Sequence, residues 1–203
     1  MGKTIMNHIT LILATVLSLA FTQVTAQDLS KGLEAAKAGD YATALKEWKP
    51  LAEQGNADAQ RNIGYMYNMG KGVLKDYSEA LRWYRLAAEQ GNTDALNSIG
   101  VMYQNGHGVL QDFFEAVKWY RLAVEQGNSQ AQNNLGAMYQ FGSGVLQDNL
   151  AAHMWYNIAS ANGNEKAGEF RDMRASLMTP EDISKATAMA RECMKSDYKK
   201  CGY

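Results

Sequence analysis

Few stretches of this chain have residue types and spacing suited to chemistry, and the most suggestive is Gly70-Lys71-Gly72, two glycines around a lysine. Glycines so placed can bring backbone N–H groups and an ammonium around a phosphate. The pattern returns as Gly106-His107-Gly108 and Gly142-Ser143-Gly144, so the slot between the glycines changes from lysine to histidine to serine. A phosphate loop also needs a strand before it and a helix start after it. No β-branched strand precedes any of the three. The predicted role is therefore backbone freedom in a connection between helices, with Val73 and Leu74 plugging the space beneath it.

The remaining reactive residues are sparse. Beyond the N-terminal segment the histidines are His107, in the variable slot, and His153, in a helical stretch. Neither has the converging groups that a Ser-His-Asp or metal site requires, so no catalytic residue, cofactor or metal is assigned. The methionines at 66, 102 and 138 sit in an apolar stripe and read as core filler. Cys193 and Cys201 are the two thiols. Without a nearby histidine or a second cysteine pair they cannot complete a tetrahedral zinc site, whereas a single pair in an exported chain reads as a disulfide. On one continuous helix they would stand about 12 Å apart, beyond the roughly 7 Å between Cα atoms that a bridge tolerates. The chain is therefore expected to turn back between Ser196 and Lys200.

The chain has 203 residues, 46% hydrophobic and 20% charged, with a formal charge of -1. That balance supports a packed core or a short repeat array. Acids and bases are scattered along the length, without the basic patch that nucleic acid demands. The N-terminus reads as a signal peptide over 1–26: Lys3, an apolar run from Ile9 to Phe21, and Val24-Thr25-Ala26 as a cleavage site after Ala26. That run is too short for a spanning helix, which needs roughly 20 residues. A periplasmic or secreted protein with no membrane span after cleavage, most simply a monomer, is expected.

Stepping along the glycines reveals the organisation. Gly55-Asn56, Gly91-Asn92, Gly127-Asn128 and Gly163-Asn164 recur every 36 residues, and such periods identify repeat architectures. Units 1, 2 and 3 run 56–91, 92–127 and 128–163. In unit 1, Asn56 is placed to cap helix A and Gly55 to close the preceding helix in a left-handed turn. Ala59, Ile63, Met66 and Tyr67 form an apolar stripe, and Gly64 leaves room for a neighbouring helix. Asp76 with Glu79 reads as a capping box opening helix B, repeated as Asp112 with Glu115 and halved in unit 3, where Ala151 replaces the acid. The helix B stripe is Ala80, Trp83 or Tyr84, Ala87 and Ala88.

The frame A-x-x-x-[LI]-G-x-M-Y-x-x-G-x-G-V-L-x-D-x-x-x-A-x-x-W-Y-x-x-A, from Ala59 to Ala87 and twice more, resembles the Sel-one-like repeat, a relative of the tetratricopeptide repeat with a longer inter-helix loop. The resemblance implies an all-α fold, an α/α solenoid of helix-turn-helix repeats acting as an adaptor, with no catalytic residues to carry over. The closing segment is also similar to the ends of exported bacterial members. Residues 27–55 are expected to form an N-terminal capping hairpin, with Pro50 loosening its last turn. Residues 164–203 are expected to supply C-terminal capping helices that shield the open end of the stack, with the disulfide stapling the tail. About ten helices and no sheet follow.

In the related tetratricopeptide geometry, helix A positions outside the core face a concave groove. They are Asp58, Arg61, Asn62, Tyr65, Asn68 and Met69 in unit 1, then Asp94, Asn97, Ser98, Val101, Gln104 and Asn105 in unit 2. Unit 3 supplies Gln130, Asn133, Asn134, Ala137, Gln140 and Phe141. Amides both donate and accept hydrogen bonds, which suits an extended peptide or a glycan, and Tyr65, Met69 and Phe141 offer anchors. The leading expectation is a non-enzymatic interaction module of the cell envelope that binds a peptide or partner protein. Two alternatives stay open: an envelope protein that binds a small molecule, peptidoglycan or β-lactam, and a secreted factor that engages host proteins. Cysteine-rich relatives associated with β-lactam binding carry a cysteine pair in each repeat. The repeats here carry none.

Overall fold

The computed structural model describes residues 29–199 and 201, and within them the chain forms ten α-helices and no strand. The expected signal segment and its cleavage point lie outside the described residues. The N-terminal hairpin comprises α1 (29–37) and α2 (Tyr41–Glu53). The units follow as α3 (Ala57–Met69) with α4 (Tyr77–Glu89), α5 (Thr93–Asn105) with α6 (Phe113–Val124), and α7 (Ser129–Phe141) with α8 (Asn149–Ala161). Two further helices, α9 (Glu165–Ala175) and α10 (Pro180–Lys195), are the last among the described residues.

The caps form where the sequence places them. Asn56, Asn92 and Asn128 each accept from the backbone N–H three residues on, at 2.8–3.0 Å, and Gly55, Gly91 and Gly127 all have left-handed φ. Asp76, Asp112 and Asp148 each accept two N–H groups at the start of helix B. The reciprocal half of the capping box is absent in units 1 and 2, because Glu79 pairs with Arg82 and Glu115 with Lys118. The Asp76 and Asp112 N–H groups donate instead to the Tyr67 and Tyr103 carbonyls at 3.0 Å. Helix α2 runs through Pro50 to Glu53. Burial of Leu51 and Ala52 beside it holds that last turn in helical form.

Consecutive helices pack from α2 to α9, and the core divides into clusters centred on α2–α3, α4–α5 and α6–α7–α8 rather than one centre. That is the nearest-neighbour arrangement of a solenoid. One device recurs within each hairpin: the helix A glycine receives the helix B tyrosine. A Cβ on Gly64, Gly100 or Gly136 would come within 2.6–2.8 Å of the ring of Tyr84, Tyr120 or Tyr156. The N-terminal hairpin repeats it with Gly32 against the Trp48 indole, whose Nε1 donates to the Leu29 carbonyl at 3.1 Å.

One expectation about an apolar residue is corrected. Val73 packs against the α2–α3 cluster, but Leu74 beside it is 91% exposed, and its counterparts Leu110 and Leu146 are 90% exposed. The connection turns so tightly through left-handed Gly70 and Gly72 that only one of the two neighbouring side chains points inward. At the C-terminal end, α10 does not cover the outer side of α9. It folds back onto α8, adding Ala190, Cys193 and Cys201 to the unit 3 cluster. Phe170, Met173 and Leu177 therefore stay exposed. Cys193 and Cys201 form the expected disulfide with Cα atoms 4.5 Å apart. The turn back passes through Asp197 and Tyr198, both with left-handed φ.

Candidate functional site

The face formed by α3, α5 and α7 carries the residues singled out from sequence, and the structure sorts them into two groups. The first group links one unit to the next. Asn92 Nδ2 donates to Asp58 at 2.9 Å, Asn128 Nδ2 to Asp94 at 3.0 Å, and Asn164 Nδ2 to Gln130 at 3.3 Å. Each helix A cap thus also holds the preceding helix A. Arg61 pairs with Asp94 at 3.5 Å across the same boundary, and Asn134 Nδ2 donates to Asn97 at 2.9 Å. Within units 2 and 3, Gln104 and Gln140 accept from the hydroxyls of Tyr120 and Tyr156, at 2.6 and 2.7 Å. About half of the amide-rich face is therefore occupied in holding the stack.

The second group has no such engagement. Tyr65, Met69 and Phe141 are 41%, 48% and 70% exposed. Asn105 is exposed at the end of α5, and Asn62, Val101 and Ala137 are half-buried. The Asn133 side-chain oxygen is buried without a hydrogen-bond partner among the described residues. Tyr65, Asn68, Ser98, Val101 and Asn105 converge around a depression of about 210 Å³ between units 1 and 2. Tyr84, Met102 and His107 complete its wall.

Electrostatics shape this junction gently. The Lys71 ammonium lies over the rings of Tyr41 and Tyr65, 4.9 and 5.4 Å from their centroids. Hydrogen bonding to those two tyrosines raises its pKa, Tyr41 first. Burial pushes the Tyr84 hydroxyl up to about 12 despite an opposing hydrogen bond to Ser98. His107 is stacked on Tyr77 at 4.2 Å between centroids.

The Gly-x-Gly loops do not form a phosphate cradle. The N–H groups of Gly70 and Lys71 both donate to the Met66 carbonyl, and His107 and Ser143 repeat the bond to Met102 and Met138. The second glycine is required by packing between units. A Cβ on Gly72 would meet the Tyr41 backbone at about 3 Å, and Gly108 and Gly144 abut the backbone of Tyr77 and Phe113 in the same way. His153 is buried in α8 with Nδ1 unpartnered among the described residues. Burial, then the Arg171 guanidinium, lowers its pKa and favours the neutral imidazole. No group of three or more His, Cys, Asp or Glu suited to a metal occurs among the described residues.

Sequence reasoning missed part of the surface. Tyr84 and Met102, assigned to the core, and His107, assigned to a loop slot, line the junction depression. The available signal was Asn68, where units 2 and 3 have glutamine. On the helix B side, Arg85, Ala88, Glu89, Leu96, Trp119, Leu122 and Gln126 surround a second depression of about 310 Å³.

Comparison with known proteins agrees with this architecture. The Sel1 repeat family model matches residues 57–92, 93–128 and 129–164, one residue later than the units defined above. The solved structure of a Sel1 repeat protein from Oxalobacter formigenes is similar at 31% identity and a TM-score of 0.69, over 86% of this chain and 75% of that one. A second, c5321, a protective antigen present in uropathogenic Escherichia coli strains and displaying an SLR fold, is 32% identical with a TM-score of 0.69. The match takes in 91% of this chain and 40% of that longer one. No curated protein matches. Three in-register family matches, together with these two neighbours, place the chain in the Sel1 repeat family.

Proposed function

We propose that this protein is an exported, non-catalytic scaffold that holds an extended segment of a partner protein against the face of α3, α5 and α7. Sel1 repeat proteins generally mediate protein–protein interaction. The observation that carries the reading is the junction between units 1 and 2, where Tyr65, Val101 and the amides of Asn68 and Asn105 line a depression and Met69 is exposed on the same helix. Apolar anchors among hydrogen-bonding groups suit a peptide, whose backbone needs partners and whose side chains need pockets. The expected occupied set is Asn62, Tyr65, Asn68, Met69, Ser98, Val101, Asn105 and Phe141. The other sequence-predicted positions, including Arg61, Asn97 and Asn134, would support it through the links between units.

Export is supported by the N-terminal segment of the sequence and by the disulfide. No helix among the described residues is long and apolar enough to cross a membrane. A second reading, release from the cell to engage host proteins, draws on the likeness to the protective antigen c5321. Cell fractionation separates the two locations.

The test is cross-linking capture from envelope extract, comparing wild type with a Tyr65→Ala, Met69→Ala, Phe141→Ala variant. These residues leave the links between units intact, so the variant should melt like wild type. A protein captured by wild type and lost by the variant supports the face. Equal capture by both moves recognition to the helix B side or the loops.

A further inference from the structure

We propose that the junction between units 1 and 2 is a pocket for one neutral aromatic side chain with a hydrogen-bonding tip, a tyrosine of the bound segment, and that Asn68 keeps this pocket open. The inference rests on the reading that this face holds a partner segment, and it names what the segment must present. It starts from a break in the repeat. In units 2 and 3 the glutamines at 104 and 140 reach across their own hairpins to the Tyr120 and Tyr156 hydroxyls. The corresponding residue in unit 1 is Asn68, one methylene shorter. Its amide nitrogen turns instead to the Met69 sulfur at 3.6 Å, and the Tyr84 hydroxyl is left to Ser98 of the next unit. Asn68, at the position of those glutamines, lines the depression of about 210 Å³.

The lining selects the occupant. It contains no Asp, Glu, Lys or Arg, and the two cations beside it are already engaged, Arg61 with Asp94 and Lys71 over the rings of Tyr41 and Tyr65, so a charged side chain would lose water for little counter-charge. The Tyr65 ring, Val101 and Met102 offer an apolar body a surface, while Asn68 and Asn105 offer its tip donors and acceptors. An aliphatic occupant would displace water from those amides without replacing its hydrogen bonds. A phenol satisfies both requirements, since its ring is apolar and its hydroxyl both donates and accepts.

The probe is N-acetyl-tyrosinamide, titrated into the isotopically labelled protein while the side-chain amide signals of Asn68 and Asn105 are followed. N-acetyl-phenylalaninamide and N-acetyl-leucinamide serve as comparisons. Saturable shifts at both amides are expected, with the tyrosine derivative about tenfold tighter than the leucine one, because a site built around hydrogen bonds rejects an analogue lacking them. Asn68→Gln, which copies the sister units and should fold as they do, is expected to abolish saturation. Asn105→Leu provides an independent closure of the rim. Unchanged titration in either variant, equal binding of the leucine derivative, or no saturable shift in wild type overturns the pocket. Partner capture distinguishes the two levels. If the Tyr65, Met69, Phe141 variant loses the partner while Asn68→Gln keeps it, the pocket fails and the face stands; equal capture by wild type and that triple variant fails the face itself.

Discussion

The junction between units 1 and 2 and the junction between units 2 and 3 share a backbone frame and differ in the side chains laid over it. Both are clamped by a cap asparagine reaching back to an aspartate, at 2.9 and 3.0 Å, and the hairpins on either side of each pack a tyrosine onto a glycine. The first adds an ion pair, Arg61 to Asp94, where the second has an amide pair, Asn134 to Asn97. The first has Asn68 and Lys75 where unit 2 has Gln104 and Gln111. Gln111 Nε2 donates to the Gln104 carbonyl at 2.8 Å, fixing the loop against helix A, while the Lys75 ammonium lies 5.4 Å from the Tyr77 ring. The cap asparagine and the glycine–tyrosine contact are thus common to the units, while the added links between units and the side-chain lengths on the face differ from one junction to the next.

If the frame is shared, breaking it should cost the same in either unit. Gly64→Leu and Gly100→Leu each place a Cβ within 2.7 Å of a buried tyrosine ring, and each is expected to destabilise by about 3 kcal/mol or more. Chemical denaturation of both variants measures this. A wild-type midpoint in either would show that the tyrosine can move aside. The disulfide should separate the junctions instead. Cys193→Ser removes a bridge closing a short loop and is expected to cost roughly 2–3 kcal/mol. Amide exchange should rise in α8 and α10, which share its cluster, while α3 and α4 keep their protection. Loosening of unit 1 would mean that the array melts as one body.

The third comparison uses pH. Burial raises the folded-state pKa of Tyr84 to about 12, and the Tyr120 hydroxyl is raised for the same reason. Unfolded tyrosine titrates near 10. The folded protein therefore retains protons that the unfolded chain releases. The stabilisation is complete below pH 10 and is lost as pH climbs to about 12, on the order of 2 kcal/mol for Tyr84. Tyr84→Phe should be less sensitive to pH than wild type across that window, as read from urea midpoints.

Much of this architecture was legible because each helix boundary carries its own chemistry. Asn56, Asp76 and Gly55 announce a start, a start and a stop, and the structure uses them so. The face was less legible for the same local reason. Asp94 and Asn97 read as groove-facing because the core stripe leaves them free, but their partners Asn128 and Asn134 lie 34 and 37 residues away. Only the lateral offset between stacked helices reveals those bonds. Leu74 was misjudged because apolarity predicts burial, whereas the left-handed turns at Gly70 and Gly72 decide which way a side chain points. The path of α10 was hidden because a cap sequence states where a helix begins and not which neighbour it joins.

The smallest expected effect is the most direct test of the difference between the junctions. Gln104→Asn shortens the side chain that accepts from the Tyr120 hydroxyl at 2.6 Å and leaves the backbone carbonyl that receives Gln111 in place. Loss of one such hydrogen bond should cost about 1 kcal/mol, small enough to preserve the fold. It should also enlarge the space between units 2 and 3 at the position that Asn68 occupies in unit 1. The Tyr120 hydroxyl would then need water or Asn134, the counterpart of Ser98, as its partner. A crystal structure of the variant with an ordered water in that space would show that one methylene at this position sets how much room the junction leaves. Collapse of Tyr120 into the gap would show instead that Lys75, Arg61 and Ser98 are also needed to hold the first junction open.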